Sequence, residues 1–95
     1  MSLLKWIEEW YKSQCDGEWE HLFGIKIYTL DNPGWRIVID LSDTVLENKV
    51  YDGYQAIIND NDWINCLVKE GCFHGAGDPS KLEEILSQFK EWVEQ

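Results

Sequence analysis

Cys15-Asp-Gly-Glu-Trp-Glu-His-Leu-Phe-Gly-Ile-Lys-Ile-Tyr-Thr-Leu-Asp-Asn-Pro-Gly-Trp-Arg-Ile-Val-Ile-Asp-Leu41 holds an acidic loop, two strand-like runs and the turn between them. Phe23, Ile25 and Ile27 alternate with Gly24, Lys26 and Tyr28; Trp35, Ile37, Ile39 and Leu41 alternate with Arg36, Val38 and Asp40. A period of two sends alternate side chains to opposite faces of a sheet. Asp31-Asn32-Pro33-Gly34 lies between the runs. Pro presets φ for a turn and Gly takes positive φ without steric cost, so the segment predicts an antiparallel hairpin.

On the N-terminal side, Leu3, Trp6, Ile7, Trp10 and Tyr11 form a helical stripe with Lys5, Glu8, Glu9 and Lys12 opposite, stopped by Asp16-Gly17. On the C-terminal side a third strand is expected near Tyr51 to Ile58, broken by Gly53, and Asn59-Asp60-Asn61 turns the chain. Asp62 to Lys69 and Cys72 to Ala76 flank Glu70-Gly71, a two-residue hairpin loop. That loop length sets Val68 opposite Phe73 and Cys66 opposite Gly75. Ile64, Cys66, Val68 and Phe73 then share one face, and Trp63, Asn65, Leu67 and His74 the other. A last helix is expected with Asp78 as N-cap and Pro79 at its first position, carrying Leu82, Ile85, Leu86, Phe89, Trp92 and Val93 inward. The reading is one α+β domain over residues 1–95. It has an N-terminal helix, an antiparallel sheet of about four to five strands in meander order, and a C-terminal helix packed on the sheet.

Eighteen acids against eight bases give a net charge of −10. Nucleic-acid affinity comes largely from Lys and Arg replacing counterions on phosphate, so this balance argues against a nucleic-acid ligand and favours a basic partner. No apolar run approaches the ~20 residues that a membrane span needs. Three cysteines, an odd number, and no signal-peptide pattern point to a reducing compartment, the cytoplasm.

Several side chains are chemically suggestive. Cys15, His21, Cys66, Cys72 and His74 supply metal-ligand types, but without the close pairing of a structural zinc site, and no cofactor is expected. Cys72 and His74 precede a glycine-rich turn into a helix. They open the alternative of a small cysteine-dependent enzyme or thiol protein, with His74 as base. The glycines are more simply explained by a strand-to-helix turn. Asp16, Glu18 and Glu20 cluster beside His21; such a trio is ordinarily a solvated patch, and it suits a protein partner better than acid–base catalysis. Trp19 within it is either an exposed binding anchor or a lid on the core edge. Asp62 and Trp63 form a second acidic-aromatic pair. Trp6, Trp10, Trp35 and Trp92 fall on apolar stripes and are expected in the core.

Taken together, Trp6 to His21, Gly24-Ile-Lys-Ile27, Thr29-Leu-Asp-Asn-Pro-Gly-Trp35, Ile39-Asp-Leu41, Asp62-Trp-Ile64, and Gly77 followed by Leu82-Glu-Glu-Ile-Leu86 resemble the immunity protein 53 family. The resemblance is weakest from Thr44 to Asp60. It implies a bacterial immunity protein of a polymorphic toxin system, a non-enzyme that protects its cell by binding a toxin domain. It brings no catalytic residues. The partner it implies is a cognate toxin, and the acidic composition fits one with a basic active site such as a nuclease. The contact residues expected are Asp16, Glu18, Trp19 and Glu20, or Asp62 and Trp63. A general protein-interaction module is the remaining alternative.

Overall fold

The computed structural model describes residues 2–95. In chain order it contains α1 (Leu3–Gln14), α2 (Trp19–Leu22), β1 (Ile25–Leu30), β2 (Gly34–Asp40), β3 (Tyr54–Asn59), β4 (Asp62–Lys69), β5 (Cys72–Gly77) and α3 (Leu82–Glu94). The five strands form one antiparallel sheet, and α3 packs on one face of it. The expected α+β architecture is therefore present.

The strand order corrects the expected meander: it runs β1-β2-β5-β4-β3. The β1–β2 hairpin and the β3-β4-β5 meander are each local, as their turns predict. The second unit docks through its last strand, β5, against β2. The segment 41–53 makes this possible by carrying the chain past the end of α3 to the far edge. Leu46 is buried, the Lys49 ammonium donates to the carbonyls of Trp92 and Gln95 at 2.6 and 3.0 Å, and the Trp92 indole donates to Val50 O at 2.9 Å. These are anchors without periodicity, which is why they leave no strand-like or helix-like trace in the sequence. They also delay the third strand, which starts at Tyr54 rather than near Tyr51.

The β4–β5 register matches the sequence reading, with Val68 opposite Phe73 and Cys66 opposite Gly75. Glu70 and Gly71 both take positive φ, 53° and 76°, as a tight two-residue hairpin loop requires. Rows of partners cross the covered face: Ile25, Ile39, Phe73 and Val68; then Ile27, Ile37, Gly75, Cys66 and Tyr54. α3 lies over the middle strands, and α1 packs beside it. Phe89 is enclosed by the rings of Trp10 and Phe73, each 5.1 Å away, and of Trp6 at 6.0 Å. Trp10 and Trp92 are buried as expected, whereas Trp6 and Trp35 are only partly buried against the core. The indole of Trp35 donates to Pro79 O at 2.9 Å, which holds it at the margin.

The start of the last helix is a second correction. It begins at Leu82 with Lys81 at the cap, and Asp78 is not its N-cap. Asp78 is buried and its carboxylate is fully engaged elsewhere, as described below.

Candidate functional site

The Asp16–Glu20 loop is held together by its own acids. Asp16 Oδ1 accepts from the amides of Glu18 and Trp19, both at 2.9 Å, and Glu20 accepts from those of Asp16 and Gly17 at 3.0 and 2.9 Å. These reciprocal bonds close the turn that leads into the short helix α2, whose cap residue Glu18 makes no side-chain cap bond. Amide donors favour the charged carboxylate, so Asp16, chiefly through Trp19 N–H and then Glu18 N–H, sits below the usual carboxylate range. Glu20 is also lowered, first by its own amide and further by those of Asp16 and Gly17.

The same turn carries the Trp19 ring inward. It is 3% exposed, packs edge-on to Trp10 and Tyr11, and donates its indole N–H to Ser42 O at 2.9 Å. Of the two readings of Trp19, the core lid is the one found. Among the described residues, Glu18 alone in this trio of acids keeps a carboxylate without a protein partner.

The second pair lies at the opposite end of the strands. Trp19 reaches Ser42, beyond the end of β2, whereas Trp63 packs beside Gly34 at its start. The seven residues of β2 separate these ends, six steps or about 20 Å at ~3.3 Å per step. The two patches therefore do not form one surface. Asp62 is exposed but bonded to Lys81 Nζ at 2.8 Å. Lys81 also bonds Asp78 Oδ2 at 2.7 Å, and the same oxygen accepts from Trp63 N at 2.8 Å; Asp78 Oδ1 accepts from Ser80 N at 2.8 Å and from Ser80 Oγ at 2.6 Å. Lys81 and then Ser80 hold the Asp78 carboxyl well below its ordinary value. The network ties β4 to the turn that precedes α3.

A stability prediction follows from that depression. The ionised form of Asp78 is favoured in the folded chain, so its contribution is fully present above the unfolded pKa of about 3.9. It fades as pH falls from there toward the lower folded value. The gap in melting temperature between wild type and Asp78→Asn should be widest near neutral pH and shrink below about pH 4. Melts between pH 7 and pH 2 measure this; a gap independent of pH would refute it.

Cys72 and His74 stand two residues apart on the open face of the sheet. The Cys72 thiol donates to Asp40 Oδ1 at 3.1 Å. Burial, and then Asp40, push the thiol up to about 11, so it keeps its proton near neutral pH. His74 Nδ1 lies 3.2 Å from Arg36 Nη2, and burial followed by that cation lowers its pKa. A nucleophilic cysteine needs the opposite environment, one that stabilises thiolate. Cys66 is buried and its thiol is pushed up to about 12 by desolvation, in keeping with an apolar filler. Among the described residues no three His, Cys, Asp or Glu side chains converge as a metal-binding group. Among them, too, no helix is long and apolar enough to cross a membrane.

One feature of the surface was missed from the sequence. β3 is an edge strand, and its residues Tyr54-Gln-Ala-Ile-Ile-Asn59 carry no charge. Ile57 and Ile58 are 60% and 71% exposed, and Ile57 pairs directly with Trp63. With Asn32, Asn59 and Asp60 they line a shallow hollow of about 440 Å³, to which Ile58 is adjacent. The available signal was an uncharged run flanked by Asp52 and Asp60.

All of the 18 carboxylates are exposed except Glu20, Asp40, Glu84 and the buried Asp78. Lys81 is neutralised by two acids and Lys49 sits against helix-end carbonyls, while Lys26, Arg36 and Lys69 lie on the open sheet face.

Comparison with curated proteins and comparison with solved structures each give no match. The family model for immunity protein 53 matches residues 4–94, which takes in every strand and nearly the whole of both long helices. With that span matched, the chain belongs to the immunity protein 53 family.

Proposed function

We propose that this chain is a cytoplasmic antitoxin that binds a cognate toxin domain and occludes its active site. The family implies an immunity role and a toxin as partner. The observation that supports an electrostatic mode of binding is the surface charge: most carboxylates face solvent, and two lysines, Lys81 and Lys49, are engaged within the chain. A nuclease grips phosphate with basic residues, so an acidic inhibitor presents the charge that such a site is built to hold. Opposite potentials also speed encounter, by about 10- to 1,000-fold in favourable cases.

The test is co-purification with the toxin domain encoded beside it, followed by rescue of cells that express that toxin. Association should slow about tenfold or more as salt rises from 0.05 to 0.5 M, because screening removes the steering. Glu18→Lys is the clean probe of the first patch, since Glu20→Lys would also dismantle the loop. A partner with an acidic active site would overturn the nuclease reading and leave the immunity role standing. Full protection by a folded variant whose exposed acids are neutralised would overturn the electrostatic mechanism.

A further inference from the structure

We infer that the β3 edge is the toxin-docking surface, and that it receives an extended segment of the partner flanked by basic residues. This inference rests on the toxin-binding reading above. Edge strands present unpaired N–H and C=O groups, and soluble proteins usually protect them with charges, Pro or a bulge. The opposite edge, β1, carries Lys26. β3 carries no charge and no Pro. Its one irregularity, a register shift between Ile57 and Asn59, leaves Tyr54–Ile57 as a regular stretch able to accept another strand.

The side chains around that stretch have the make-up of an interface. Ile57, Ile58 and the half-buried Trp63 supply an apolar centre, with Tyr54 along the strand. Asp52 and Asp60, both exposed, stand at its two ends. An apolar middle with a charged rim is the usual anatomy of a protein contact, and main-chain pairing adds affinity that does not depend on side chains.

Charge decides the occupant. A second copy would bring the same exposed Asp52 and Asp60 to this border. Each copy also carries a net charge of −10. Like charges brought together at one border repel. A partner with Lys or Arg flanking an extended segment meets the same two aspartates favourably.

Amide hydrogen exchange on the full chain, alone and bound to the toxin domain encoded beside it, tests this. Bound chain should show slowed exchange across Tyr54–Ile57 and unchanged exchange across Asp16–Glu20. The double variant Ile57→Lys, Ile58→Lys should bind at least about 30-fold more weakly, the effect of losing an interface hot spot. Its melting temperature should stay near wild type, because both side chains are exposed. A complex with no added protection at Tyr54–Ile57, or a folded double variant that binds at full affinity, overturns the inference alone. So does protection of β3 in the free chain that grows with concentration, which would make the occupant a second copy. Failure of the wild-type chain to form any complex overturns the toxin-binding reading and this inference with it.

Discussion

Phe89→Ala should lower the unfolding free energy by about 4 kcal/mol, the usual cost of truncating a fully buried Phe. The side chain is completely buried and stands between the two helices and the sheet. Trp10 and Phe73 meet it in edge-to-face geometry at 5.1 Å, at interplanar angles of 89° and 60°, and Trp6 and Trp92 complete the enclosure at 6.0 and 6.3 Å. Four large rings cannot collapse into the space together, so most of the cavity should persist. Domains of this size have about 5–15 kcal/mol to lose, and each kcal/mol moves the melting temperature by roughly 4–8 °C. A fall of about 16–32 °C is the expected result. Urea unfolding measures the same quantity, with the midpoint lowered and the slope retained. A loss below about 1 kcal/mol would mean that Phe89 is not the junction of the core.

Gly75 should be nearly as sensitive, for the opposite reason. It lies in β5, at the seam between the β1–β2 hairpin and the β3-β4-β5 meander, opposite Ile37 on one side and Cys66 on the other. A Cβ there would run into Ile85 Cγ2, while Phe73 Cε2 would lie 3.3 Å away. Ile85 is buried in α3, so it cannot swing aside. Overpacking of this kind costs about 1–3 kcal/mol, and Gly75→Ala belongs at the upper end because helix and sheet must separate to admit it. Gly75→Val should exceed it. The diagnostic experiment is the double variant Gly75→Ala, Ile85→Ala. The new methyl then occupies space that Ile85 vacates, so the combined loss should fall short of the sum of the single losses by about 1 kcal/mol or more. Strict additivity would place the strain elsewhere.

The contrast between these residues and others explains what could be read from the chain. Local chemistry carried the elements. Alternation gave the faces of β2, β4 and β5, and the two-residue loop at Glu70-Gly71 gave the register down to the pair Val68–Phe73. Strand order is not local. Nothing in Leu41–Gly53 announces that it crosses beside α3, because its anchors, Leu46 and Lys49, act singly and at a distance. Asp78 illustrates the same limit. Its position before Pro79 suits a helix cap, yet the donors that claim it are the Trp63 amide, fifteen residues earlier in the chain, and Lys81. At the candidate site, the acids around Trp19 left an exposed ring and a lid on the core both open; Asp16 and Glu20 close a turn that folds the ring under. The uncharged β3 run read as an ordinary strand, since edge or centre is settled only by which strands flank it.

The grip of the crossover on the end of α3 has a mechanical meaning. Lys49 reaches the last carbonyls of the helix and lies 5.9 Å from the centre of the Trp92 ring, while that indole holds Val50 four residues before β3 begins. Tension applied to the free border of the sheet is therefore shared with a buried helix instead of being concentrated on one ladder of hydrogen bonds. A bound molecule tugging at that border would have to dislodge the tryptophan before it could unzip the strand.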